Sequence, residues 1–172
     1  MNRSEKFGIV FWVTAVVLLG VITACIMFSQ TLEIDAMLKS MKDGNEFYLY
    51  DLYDSHDWNY VVILNGTVDR YDTGKLTDKY QELYSRNDIL NPEYGVIVFV
   101  NAGYTRDIDE VLRNGDIVNI AIYDMNERDE MIFTQNAFAG PHEEAFFLER
   151  WETSFRILTV DGRRYAENIS KR

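Results

Sequence analysis

Between Lys6 and Glu33 the chain carries no Asp, Glu, Lys or Arg, and residues 7–28, which open on Phe7 and close on Phe28, are almost wholly apolar. Those residues at about 1.5 Å each form a helix of roughly 33 Å, enough to cross a bilayer core of about 30 Å. A soluble core helix shows polar positions at every turn, whereas only Thr14 and Thr23 interrupt this one. The sequence therefore predicts a single membrane-spanning helix over 7–28.

The flanks set the direction. Arg3, Lys6 and the α-amino group precede the run, while Glu33 and Asp35 follow it, with Lys39 and Lys42 farther on. The positive-inside rule then keeps residues 1–6 in the cytoplasm and exports the remainder. Residues 29–172 hold 15 Lys and Arg against 27 Asp and Glu, so the acidity of the chain, −11 overall, belongs to the exported part. Such a surface is repelled by anionic headgroups and stands off them.

Ile22-Thr23-Ala24-Cys25 offers a rival reading of the same segment. It resembles the small-residue-then-cysteine box of a bacterial lipoprotein signal, which would make Cys25 a lipidation site. Against it, Ile26, Met27 and Phe28 continue the apolar run past the cysteine. An ordinary secretory signal needs a shorter apolar core and a small-x-small cleavage site. Either reading attaches the chain to the cell membrane, with the lipid bilayer as its partner.

With 172 residues, one Cys, two His and two Pro, the chain has room for one domain beside the anchor. One Cys excludes a disulfide framework and a cysteine-only zinc site. Acidity argues against nucleic acid as a partner, and an aromatic content of 14% against a disordered tail.

Ile34, Met37, Leu38 and Met41 make an amphipathic stripe with Asp43-Gly44 as its stop, a juxtamembrane helix within 29–44 packing on the domain. From 45 to 172 the signals are mixed. Residues 59–64 read as a strand ended by Asn65-Gly66, and Leu76, Tyr80, Leu83 and Tyr84 as one helical face. That helix takes Asp72 or Thr73 as its cap and ends at Arg86-Asn87, with Glu82 and Arg86 paired. Residues 96–100 read as a central strand buried on both faces, 117–123 as an alternating strand and 131–135 as a weaker one. Gly140-Pro141-His142-Glu143-Glu144 has the features of a helix start, with the helix running to Trp151. Residues 153–166 form a hairpin around Asp161-Gly162. The expected fold class is α+β: one mainly antiparallel sheet with two or three helices on one face.

Catalytic patterns fail one after another. In His142-Glu143-Glu144-Ala145-Phe146 the second zinc-ligating His is replaced by Phe146. Gly74-Lys75 lacks the earlier glycine of a phosphate loop, Asp69 standing there, and no serine sits in a nucleophile elbow. Asp124-Met125-Asn126-Glu127-Arg128 puts Arg where a calcium loop needs oxygen. No metal site and no cofactor is expected. What remains is Asp54-Ser55-His56-Asp57-Trp58, where His56 can act as a base oriented by Asp54 or Asp57, or can belong to a polar turn before a strand. Tyr48, Tyr50, Tyr53 and Trp58 belong to a crowd of six aromatics in fourteen positions and are candidate binding residues or core. Asn65-Gly66-Thr67 and Asn168-Ile169-Ser170 match the glycosylation acceptor pattern.

Asp57-Trp58-Asn59-Tyr60-Val61-Val62-Ile63-Leu64 resembles small bacterial envelope proteins, anchored or lipidated, in which an acid-Trp pair opens a strand followed by a loop and a helix. The resemblance covers about a tenth of the chain and departs at Asn65-Gly66, where those proteins tend to have Pro and an aromatic. It implies location and fold, and no activity. Two functions are therefore expected in competition: an anchored envelope protein displaying an acidic module that binds an envelope protein or polymer, or a surface hydrolase using His56 with Asp54 and Asp57.

Overall fold

The computed structural model describes residues 34–85, 89, 91–105, 107–125, 131–138 and 144–170. The chain divides into residues 1–33 and residues 34–172, and every described residue belongs to the second unit. The 7–28 segment and Cys25 thus lie outside the described residues, as do Arg86, Asn87 and the sequence from Gly140 to Glu143. Among the described residues no helix is long and apolar enough to cross a membrane.

Residues 34–40 are helical (α1). Then come β1 (Glu46–Tyr48), α2 (Leu49–Leu52), β2 (Tyr60–Asn65), α3 (Val68–Tyr71), α4 (Lys75–Tyr84), β3 (Tyr94–Asn101), α5 (Ile108–Asn114) and β4 (Asp116–Asp124). The chain continues through β5 (Met131–Thr134), β6 (Ala145–Glu149), a 3₁₀ turn at Arg150–Glu152, β7 (Ser154–Val160) and β8 (Arg163–Asn168).

The fold is α+β, but the strands form two four-stranded sheets rather than one. Their orders are β1-β7-β8-β5 and β4-β3-β2-β6, every pair antiparallel except β5 with β8. The physical reason is the pattern of the second sheet, whose strands are apolar on both faces and so need a layer on each side. Val61, Ile63, Ile97, Phe99, Phe146 and Leu148 point into a core shared with Phe47, Phe133, Phe155 and Ile157 of the first sheet. Val62, Leu64, Val96, Val98 and Val100 point the other way, onto Val68, Leu76, Tyr80, Val111 and Leu112 of α3, α4 and α5. Fully burying each such side chain is worth about 1.5–3 kcal/mol, so the middle sheet carries much of the stability. Ile34 and Leu38 of α1 enter the first core, with Met37 and Met41 against it, so the amphipathic stripe packs on the domain.

The segment expected to be a helix up to Trp151 is instead β6. Ala145, Phe146, Phe147 and Leu148 are a short apolar run whose length suits a strand, and alternation sends Phe146 and Leu148 into one core and Ala145 and Phe147 toward the other. Added beside β2, it seals both cores. The β7–β8 hairpin forms as its turn chemistry dictates, with Asp161 at φ 51° and Gly162 at φ 81°, both in the left-handed region a two-residue turn requires. Asp72 closes the start of α4: Oδ1 accepts from Gly74 N–H at 2.9 Å and Oδ2 from the Thr77 hydroxyl at 2.8 Å.

Candidate functional site

The Asp54–Asp57 stretch is a surface turn between α2 and β2, and Asp54, His56 and Asp57 are all exposed. Ser55 Oγ donates to Asp57 Oδ2 at 2.9 Å and accepts from Asp57 N–H at 3.3 Å, so the turn closes on itself. His56 hydrogen-bonds no described residue. Trp58 pins the turn to the core: it is 2% exposed, its indole N–H donates to the Tyr53 carbonyl at 3.3 Å, and the Arg150 guanidinium lies 4.6 Å above its ring.

The four candidate aromatics part company. Tyr53 tilts onto Phe99 at 5.1 Å and, like Trp58, belongs to the core. Tyr48 and Tyr50 stack on each other at 5.0 Å near the surface, 39% and 38% exposed. The two acceptor-pattern asparagines are both engaged in the fold. Asn65 Nδ2 donates to the Phe133 carbonyl at 2.9 Å and Asn168 Nδ2 to the Glu152 carbonyl at 2.6 Å.

The feature that sequence reading missed is a cleft of about 640 Å³ along the outer edge of β6. Tyr71 at the end of α3, Ile108 at the start of α5 and Gln135, just beyond β5, line it together with Phe146 and Phe147. Four carboxylates line it: Asp107 and Asp109 at the start of α5, and Glu149 and Glu152 around the 3₁₀ turn.

Each acid is set in place by local chemistry. Asp107 is the N-cap of α5, its Oδ1 accepting from Glu110 N–H at 3.1 Å. Glu152 Oε2 accepts from Glu149 N–H at 3.2 Å, and Glu149 Oε2 from the Trp151 indole at 2.6 Å. Arg150, between Glu149 and Glu152 in sequence, lies over the Trp58 ring. Glu144, just before β6, is paired with Arg70, whereas Asp107, Asp109 and Glu149 form no ion pair with a described residue. The signals for α5 were present in the sequence, in Asp107 as cap, Asp109 and Glu110 in the first turn, and Asn114-Gly115 as stop.

Asp107 and Asp109 are exposed and Glu149 and Glu152 half-buried, so all four carboxylates stay in contact with solvent. A proton-donating acid needs the reverse, an apolar enclosure. Among the described residues no three His, Cys, Asp or Glu converge closely enough to hold a metal ion. The cleft is thus a spread of negative charge beside an apolar strand, suited to an extended cationic ligand. The Asp54, His56, Asp57 turn does not line it. No family model, curated protein or solved structure matches the chain significantly.

Proposed function

We propose that the chain is a single-pass envelope protein, anchored through residues 7–28, that displays an acidic binding or assembly module on the extracytoplasmic side. The observation that carries the binding role is the cleft beside β6, whose four carboxylates face a ligand-sized space. Anchor and orientation rest on the charge-free run, on Arg3 and Lys6 before it, and on the acidity after it. The resemblance of residues 57–64 to small bacterial envelope proteins points to the same location.

The test is a titration of the full-length chain in mild detergent with a Lys-rich octapeptide and a Glu-rich one. The cationic peptide binds, and its affinity falls steeply between low and physiological salt, as screening of exposed charges demands. Equal binding of the two peptides, or binding of neither, overturns the proposal.

A further inference from the structure

Resting on the reading of the cleft as a binding site, we propose that β6 takes up an extended, Lys- or Arg-bearing segment of a partner protein as a fifth, antiparallel strand of the second sheet.

The register decides which backbone groups are on offer. Asn65 N–H donates to the Glu144 carbonyl at 2.8 Å and Arg150 N–H to the Asn59 carbonyl at 2.9 Å, one bond at each end of the β2–β6 ladder. Antiparallel pairing alternates, so Phe146 and Leu148 bond inward to β2 while Ala145, Phe147 and Glu149 turn their N–H and C=O outward. Glu149 N–H is taken by Glu152 Oε2. Among the described residues, both backbone groups of Phe147 are without a partner, and Phe147 lines the cleft. The opposite edge of the sheet differs: on β4 the Ile120 carbonyl accepts from Tyr84 and Asp124 N–H donates to Asp35 Oδ1. Among the described residues this edge is open, a template for another strand, and its Phe147 and Glu149 line the cleft.

Charge selects the occupant. A strand opposite Phe147 directs alternate side chains to the same face as Phe147, toward α5, where Asp107 and Asp109 stand. Glu149 and Glu152 lie at the end of the same groove. A second copy of this chain, with its net charge of −11, brings its own acids to that place and is disfavoured, whereas alternating Lys or Arg is matched.

The probe is an octapeptide of four Thr-Lys repeats, titrated into the full-length chain in mild detergent. Methylating the Lys backbone amides, which face β6 in antiparallel pairing, lowers affinity at least tenfold, while methylating the Thr amides leaves it within about threefold. Exchange of the Phe147 amide slows on binding. Glu149→Gln with Asp109→Asn weakens the unmodified peptide at least tenfold. If both methylated series bind like the parent, strand addition is wrong and the acidic cleft alone accounts for binding. If no peptide binds, or a Thr-Glu peptide binds as well, the binding reading itself falls. A peptide-displaced dimer in sedimentation equilibrium overturns the choice of a foreign partner.

Discussion

The ring of Tyr123 occupies the space that any side chain at Gly95 would need, and the two residues are direct partners across the β3–β4 ladder. From there the Tyr123 hydroxyl donates to Asn65 Oδ1 at 2.7 Å, at the end of the neighbouring strand β2. Gly95→Ala therefore forces a fully buried aromatic to move. Overpacking of this kind costs about 1–3 kcal/mol. Urea unfolding should record that loss, and the Tyr123→Leu background should reduce it, because the two residues share one volume.

Asn65 is the hinge-pin between the sheets. Its Oδ1 accepts from Tyr123 and from Phe133 N–H at 3.3 Å, while its Nδ2 donates to the Phe133 carbonyl, tying β5 to the end of β2. Asn65→Leu leaves several partly buried polar groups unpaired, at about 1–3 kcal/mol for each. Faster hydrogen exchange at Phe133 should accompany the lower stability. Unchanged exchange there would mean that the side chain does not hold β5.

Alkaline pH should unfold the domain through its buried phenols. Burial raises Tyr123 and Tyr84 well above the ordinary value of 10.0; a backbone bond at Ile122 partly offsets the rise for Tyr84. A raised pKa in the fold means that stability is full below the unfolded value near 10 and declines as pH climbs from there toward the folded values. Tyr123→Phe removes one such proton, so its stability should fall less steeply above pH 10, read by urea melts alongside phenolate absorbance.

Membrane attachment has its own test. A charge at Val16 or Val17 should cost about 2.5–3.5 kcal/mol of insertion free energy and reduce the membrane-bound fraction. Protease outside intact cells or protoplasts should digest residues 45–172 and spare a short anchor fragment. Digestion only after lysis would reverse the orientation, and a soluble domain beginning after Ala24 without lipid would mean a cleaved signal.

The rival enzymatic reading makes a separate demand. Under the binding account, His56→Ala, Asp54→Asn and Asp57→Asn leave stability within about 0.5 kcal/mol, as for exposed residues of a self-closed turn. A reproducible hydrolytic activity of the chain that vanishes on any one of these changes would instead establish a surface hydrolase.

Where local chemistry and tertiary demand agree, the sequence is readable. Asp161-Gly162 specifies the β7–β8 turn, and residues 96–100 form a strand buried on both faces within β3. The α1 stripe packs where its apolar face must. At β6 they conflict: Pro141 and three following polar positions imitate a helix start, while Ala145 to Leu148 satisfy two cores at once only in extended form. The cleft was hidden for a different reason. Asp107 and Asp109 lie far in sequence from Glu149 and Glu152, and only the β4-β3-β2-β6 order, with α5 laid over it, brings them to one groove. Conversely, the crowded Tyr48 to Trp58 region advertised a site, yet Tyr53 and Trp58 are spent on the core.

The most direct measurement is a residue-by-residue map of where a small polycation binds. Tetralysine is titrated into the isotopically labelled full-length chain in detergent and followed by amide NMR. The account predicts saturable shifts concentrated at Asp107, Asp109, Phe147, Glu149 and Glu152, lost together in Glu149→Gln with Asp109→Asn. Shifts centred instead on Asp54, His56 and Asp57, or spread evenly over the acidic surface, would contradict it.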